Sequence, residues 1–180
     1  APPLAERSHH DRMSSMKWVR VAYGKTGLQI PMDDTWDVTV VEPRYIPALP
    51  DPEEAIHRTL RRPLLLPAVK DWVKNGEKVG IIFNDITRPT PNRILVRAVL
   101  DELPHVPAED ITLFNALGTH RANTEAEIRS LLDDGLVDRY KIVQNNAFDP
   151  DTQAYLGTTS QGHEIWINRQ LLACDRIILT

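Results

Sequence analysis

The sequence has little of several features that would place it in a specialised class of protein. It contains one cysteine, Cys174, so an internal disulfide cannot form, and a lone thiol is typical of a reducing compartment. No apolar run approaches the roughly 20 residues that span a bilayer. Residues 1–11 also lack the apolar core of a signal peptide. We therefore predict a cytoplasmic protein without a membrane partner.

Positive charge is also scarce. The chain has 21 basic and 25 acidic residues, a formal net charge of −4, and no dense cluster of lysine or arginine interleaved with aromatics. Proteins that bind nucleic acid usually carry a basic surface, so we exclude nucleic acid as a partner. The 180 residues are 42% apolar and 26% charged, which is typical of a globular protein with a sizeable core.

Strand-like and helix-like segments alternate along the chain. The pattern predicts an N-terminal β-hairpin (17–23 and 28–30), strands at 36–41, 79–84, 110–117, 140–143, 155–157, 164–167 and 175–180, and helices at 51–60, 68–75, 92–103, 124–135 and 168–174. Such alternation predicts an α/β fold, a Rossmann-like and mostly parallel sheet flanked by helices. We assign residues 1–15 to a disordered tail or cloning remnant and 16–180 to one α/β domain.

A rigid polar loop follows the first buried strand. The apolar run that begins at Val79 ends at Asp85, Thr87 and Arg88, and two nearby prolines restrict the backbone of this loop. Open parallel sheets bind ligands beyond the carboxyl ends of their strands, which is where these polar side chains lie. The alternative interpretation is local, with Asp85 capping the turn and pairing with Arg88.

A second polar loop follows the next strand, at Gly118, Thr119 and His120. If the two strands are parallel neighbours, both loops face one crevice. Arg88 can bind a carboxylate or phosphate, the helix N-terminus after Thr119 favours an anion, and His120 can exchange a proton near neutral pH. This combination suits chemistry beside a carboxylate, although ordinary solvated loops can share the pattern.

These loops carry a resemblance to a known family. Residues 85–91, with the sequence DITRPTP, and residues 118–121, with GTHR, resemble the N-terminal domain of the nickel-dependent lactate racemase family. The resemblance continues through 155–159, Gly162 and 168–169, and it covers roughly residues 36–180.

The resemblance implies a racemase or epimerase of a lactate-like 2-hydroxy acid. Its cofactor is a nickel-pincer nucleotide, a pyridinium-3,5-bisthiocarboxylic acid mononucleotide that carries nickel and accepts a hydride while a histidine takes the hydroxyl proton. His120 matches one of the family's two catalytic histidines, and Arg88 matches the arginine that binds the substrate carboxylate. The remaining matched residues position cofactor or substrate: Asp85, Thr87, Gly118 and Thr119. No metal ligand is assigned within this chain.

The resemblance also implies parts that this chain lacks. The family's second catalytic histidine, cofactor-linking lysine and nickel-ligating histidine lie beyond the position that matches Thr180. We therefore expect an incomplete N-terminal portion of a longer racemase, inactive alone, without cofactor, and partnered by its own C-terminal remainder.

Two departures leave the substrate open: Ala122-Asn123 replaces Pro-Met, and residues 144–147 replace Asn-His-Asp-Ala. The alternatives are a non-catalytic α/β domain that binds a small phosphorylated or carboxylated ligand, and an interaction domain. A P-loop and a classical NAD site lack their glycine signatures.

Overall fold

The structure is a computed structural model that describes residues 17–180, so the predicted N-terminal tail lies outside the described residues. The chain divides into two compact units, one ending at Pro47 and the other comprising Ala48–Thr180. The proposed domain boundaries at residues 15 and 16 stay a prediction.

The first unit contains the predicted hairpin. Strands β1 (Lys17–Val21) and β2 (Leu28–Met32) pair antiparallel, with Val19 opposite Ile30. The predicted strand at 36–41 is wrong, because residues 37–49 form no regular secondary structure. A strand needs a neighbour that bonds its backbone, and the prolines that follow offer no N–H groups to a ladder.

The second unit contains the remaining helices and strands that the structure describes. Its strands are β3 (Val79–Asn84), β4 (Ile111–Ala116), β5 (Lys141–Gln144), β6 (Gln153–Thr158), β7 (Glu164–Asn168) and β8 (Arg176–Leu179). Its α-helices are α1 (Pro52–Arg61), α2 (Val69–Trp72), α3 (Asn92–Asp101), α4 (Glu125–Leu131), α5 (Asp134–Arg139) and α6 (Arg169–Leu172), with 3-10 turns at Ala108–Asp110 and Pro150–Thr152. None of the described helices combines the length and apolarity needed to cross a membrane.

Four of these strands form one parallel sheet in the order β5-β4-β3-β8. β6 and β7 form a separate antiparallel hairpin. Within the sheet, β3 and β4 end in register, with Asn84 opposite Ala116. The prediction of a parallel α/β sheet flanked by helices is therefore confirmed.

The core lies around the two central strands. Val79, Ile81 and Phe83 on β3 and Leu113 on β4 are completely buried, and α3 adds buried residues such as Val96. Burial of each such side chain contributes about 1.5–3 kcal/mol relative to exposure. This packing holds the ends of β3 and β4, and therefore their two loops, on a rigid support.

One predicted helix is two helices in the structure. The segment from residue 124 was expected to continue to Gly135, but α4 ends at Leu131 and Gly135 lies inside α5. Asp133 separates them with φ 120°, a conformation that side chains rarely adopt. Its carboxylate accepts a hydrogen bond from the Leu136 N–H at 3.0 Å and pairs with Arg97 at 2.6 Å, which stabilises the break.

Candidate active site

Each central strand ends in a β-turn at the same edge of the sheet. After β3, the N–H of Arg88 donates to the carbonyl of Asp85 at 3.2 Å, and after β4 the N–H of His120 donates to the carbonyl of Leu117 at 2.9 Å. Because the strands are parallel and end in register, the two turns are neighbours. The structure therefore brings the two predicted loops together.

The two turns are joined by a carboxylate–histidine pair. Oδ2 of Asp85 lies 2.7 Å from Nδ1 of His120, and Oδ1 of Asp85 accepts a hydrogen bond from the Thr87 hydroxyl at 2.8 Å. Asp85 is 3% exposed, whereas the His120 side chain is 48% exposed. A buried carboxylate thus holds a ring whose other edge reaches solvent.

The electrostatics of the pair define the state of the imidazole. Burial by itself raises the pKa of Asp85, but the hydrogen bonds from His120 and Thr87 outweigh burial and leave that pKa below its ordinary value. Asp85 is therefore ionised at neutral pH and can only accept, so Nδ1 of His120 carries the shared hydrogen. In the neutral ring, Nε2 then presents a lone pair and is the atom that can exchange a proton with a ligand.

The first loop is held by residues close to it in sequence. Asn92, which is 1% exposed, donates from Nδ2 to the Asn84 carbonyl at 3.0 Å and accepts from the Asn84 N–H at 3.2 Å. The Asn84 side chain in turn donates to the Thr90 hydroxyl at 2.9 Å. These bonds tie the end of the loop back to Asn84, which directly precedes the buried Asp85.

The second loop is held by a more distant residue. The N–H of Asn123 donates to Oε1 of Gln144 at 2.7 Å, and Nε2 of Gln144 donates to the Asn123 carbonyl at 2.9 Å. Gly118 makes the turn with φ 58°, and a Cβ built there would meet no atom within 4 Å. The space beside this glycine is therefore open to a ligand.

The helix N-terminus after the second loop is capped by its own side chains. Thr124 and Glu127 form a capping box, and Arg121 pairs with both oxygens of Glu127 at 2.7 and 2.8 Å. The Arg121 guanidinium lowers the pKa of Glu127 to about 2. The predicted anion-binding role of this helix end is therefore not supported, because a protein carboxylate already lies there.

The other predicted site residues are distributed around the pair. Thr119 and His120 line a cavity of about 340 Å³ with Asn146 and Phe148, whereas Gly118 borders a separate cavity of about 190 Å³. The Arg88 side chain is exposed, and its guanidinium forms no hydrogen bond or ion pair with any residue that the structure describes. The local interpretation, in which Arg88 pairs with Asp85, is wrong because His120 is the partner.

The amide side chains of Asn92 and Gln144 were missed by the sequence reasoning. Asn92 was assigned to a helix, and Gln144 was noted only as a departure from the family pattern. An asparagine directly after Pro91, at the start of a helix, is a weak signal for a local backbone contact. Gln144 gives no local signal, since its partner Asn123 is 21 residues away.

Fold and site together define a class of protein. Four parallel strands form an open sheet of an α/β domain, and at its carboxyl edge lie a histidine bonded to a carboxylate and an exposed arginine. The family model described as "Lactate racemase N-terminal domain" matches residues 23–180. The chain belongs to this family, which confirms the resemblance.

Known relatives agree with this assignment. A curated lactate racemase from Thermoanaerobacterium thermosaccharolyticum is 25% identical over 127 residues, which is 70% of this chain and 30% of the relative. The structure of the lactate racemase apoprotein from the same organism aligns with a TM-score of 0.68 at 23% identity, over 91% of this chain and 38% of that one. A Thermotoga maritima protein aligns with a TM-score of 0.57 at 24% identity, over 75% of this chain and 34% of that one. The chain thus spans about a third of the length of these relatives.

Proposed function

We propose that this chain contributes to the racemisation or epimerisation of a 2-hydroxy acid, by proton-coupled hydride transfer with a nickel-pincer nucleotide. The observation that carries the proposal is the 2.7 Å contact between Asp85 and His120, which leaves Nε2 of the histidine at a half-exposed edge. An unpaired Arg88 follows on the same loop as Asp85. A proton acceptor and a carboxylate-binding cation are two of the protein groups that this chemistry needs.

The role of His120 follows from the chemistry of the substrate. The α-hydrogen of a 2-hydroxycarboxylate is a poor acid, because its loss as a proton would place a second negative charge beside the carboxylate. Loss of that hydrogen together with its electron pair avoids this charge, provided that a base removes the hydroxyl proton. For one enantiomer, Nε2 of His120 takes this proton and, in the reverse direction, returns it, while Arg88 binds the carboxylate bidentately. The second catalytic histidine that the resemblance implies would serve the opposite enantiomer in the same way.

We assign Asp85 and Thr87 to the orientation of His120. Both had been expected to position cofactor or substrate. Each Asp85 oxygen, however, already accepts one hydrogen bond from within the chain, one from Thr87 and one from His120. The ionised carboxylate fixes the ring tautomer and stabilises the imidazolium that forms when Nε2 is protonated.

The residues beside Gly118 fit the organic part of the cofactor. The 190 Å³ cavity bordered by Gly118 contains the aromatic residues Phe114 and Trp166, and the Cβ position of Gly118 is open. Among residues 17–180, no three His, Cys, Asp or Glu side chains are grouped to hold a metal. Gly118 would contact the nucleotide at this cavity, and Thr119, which lines the 340 Å³ cavity with His120, would position substrate or cofactor there. When bound, the nucleotide supplies the acceptor for the α-hydrogen and its electron pair.

The test is isomerisation of 2-hydroxy acids by the intact gene product loaded with cofactor. We expect His120→Ala to lower kcat by at least about 10²-fold, the lower range for a general acid or base. We expect Arg88→Ala to act mainly on KM. His163→Ala is the matched control, because His163 is exposed in the turn of the β6–β7 hairpin and should leave both constants unchanged.

Two results would contradict the proposal. One is unchanged turnover in His120→Ala. The other is a wild-type protein that binds a carboxylated or phosphorylated ligand and isomerises no 2-hydroxy acid, which would establish the non-catalytic alternative.

A further inference from the structure

Both loops of the site are closed by the same device, an amide clip. In each clip, one side-chain amide makes both of its hydrogen bonds to the N–H and the C=O of a single residue. The Asn92 clip acts on Asn84, at 3.2 and 3.0 Å, and the Gln144 clip acts on Asn123, at 2.7 and 2.9 Å. A reciprocal pair of this kind fixes distance and orientation together, as one rung of a β-ladder does.

The clips lie next to the Asp85–His120 pair in sequence. Asn84 directly precedes Asp85, and Asn123 follows His120 by three residues. The side chain of Asn123 donates to the completely buried Asn115 of β4 at 2.7 Å, so the Gln144 clip anchors its loop to two neighbouring strands. A 2.7 Å contact between two different loops requires that both loop ends be fixed, and the clips fix them.

We propose that Asn92 and Gln144 are positioning residues that hold Asp85 and His120 at bonding distance. Among the described contacts, neither side chain bonds Asp85 or His120 directly, and each acts through the backbone of its clipped residue. The expected effect of a clip on kcat rests on the proposed function, but its expected effect on the Asp85–His120 contact does not. Loss of either clip should release the Nδ1 contact of His120.

An acid in place of the amide tests each clip with almost no change in shape. Asn92→Asp and Gln144→Glu keep an oxygen that accepts the backbone N–H. They lose the donor and place a carboxylate oxygen against the Asn84 or Asn123 carbonyl, so one bond of the clip becomes a repulsion. Gln170→Glu is the matched control, because Gln170 is exposed on α6 and bonds Lys141, away from both loops.

The direct measurement is the ring tautomer of His120. Protein labelled with ring-15N histidine is studied by long-range 1H–15N correlation at about pH 8.5, where an ordinary imidazole is neutral. His120→Gln assigns the signal among the 6 histidines. We expect the Nδ1–H tautomer in the wild type and in Gln170→Glu. In Asn92→Asp and Gln144→Glu we expect loss of that preference, towards the tautomer mixture of free histidine.

The outcomes separate positioning from a purely structural role. A clip variant that lowers the melting temperature but keeps the wild-type His120 tautomer would overturn the proposal. If Gln144→Glu does not fold, the isosteric Gln144→Met, which removes both bonds without adding charge, gives the same decision. In the cofactor-loaded intact protein, we expect each folded clip variant to lower kcat by about 10- to 100-fold, with KM within about twofold. Absence of racemisation in the wild type would contradict the proposed function alone, since the tautomer measurement still decides the clips.

Discussion

The two loops of the site reach the same edge of the sheet by different means. The loop after β3 is closed by Thr90 and Asn92, which lie within eight residues of their partner Asn84, and prolines at 89 and 91 restrict its backbone. The loop after β4 turns at Gly118 and is closed by Gln144, from the next strand of the sheet. The first loop is therefore determined by its own sequence, whereas the second depends on the pairing of β4 with β5.

The two loops supply different members of the Asp85–His120 pair. The locally closed loop supplies the buried Asp85, which must be fixed and desolvated. The loop that depends on a neighbouring strand supplies His120, whose ring is half-exposed, as the proposed proton exchange with a substrate requires. A rigid orienting group and a more accessible proton carrier are what general acid–base chemistry requires.

The largest effect should come from removing the charge that joins the loops. Asp85→Asn replaces a buried carboxylate that accepts two hydrogen bonds, so we expect the free energy of unfolding to fall by about 1.5–3 kcal/mol at pH 7. The pKa of Asp85 is lowered in the folded state, so its stabilisation is complete above the ordinary value of 3.8 and is lost as pH falls through the folded-state pKa. The difference in the free energy of unfolding between wild type and Asp85→Asn, measured by urea unfolding, should therefore become smaller below about pH 4.

Asp151→Asn is the control for this experiment, because Asp151 is an exposed aspartate outside the pair. It should change stability by less than about 0.5 kcal/mol at every pH, as surface substitutions generally do. If the free energies of unfolding of wild type and Asp85→Asn differed by the same amount at every pH, the carboxylate charge would not be what joins the loops.

A smaller effect is expected at the glycine turn of the second loop. Gly118→Ala meets no steric obstacle but must adopt φ 58°, which costs a side chain about 1–2 kcal/mol. Gly76→Ala is a matched control, since Gly76 has φ 81°, similar open space and a position outside both loops. Thermal unfolding should show similar losses for both variants, and only Gly118→Ala should alter the His120 ring signals. Identical ring signals in both would show that this turn does not place the histidine.

Most of the fold was predictable because its signals are local. The apolar run of β3 and the starts of α1 and α4 depend on residues close in sequence, and all three elements begin within one residue of the predicted position. The failures are residues whose structure depends on distant partners. Valines 40 and 41 have the composition of a strand but no ladder to join, and Asp133, at the break between α4 and α5, pairs with Arg97 from another helix.

In the site, too, the features set by local sequence were predictable and those set by distant partners were not. The residue types at the two strand ends indicated that the two loops face one crevice, because parallel strands end at one edge. The sequence could not show that Asp85 pairs with His120 in preference to Arg88, since that choice depends on how the strands pair. It also could not show that Gln144 closes the second loop, because a glutamine has no preferred partner before the sheet assembles.

The bond between Asp85 and His120 joins the two loops, and a double-mutant cycle measures that bond directly. Urea unfolding at pH 7 of wild type, Asp85→Asn, His120→Gln and the double variant gives the coupling free energy between the two side chains. We predict a coupling of more than about 1 kcal/mol, as expected for a hydrogen bond to a charged group. Additivity within about 0.5 kcal/mol would contradict the claim that these two residues join the loops into one site.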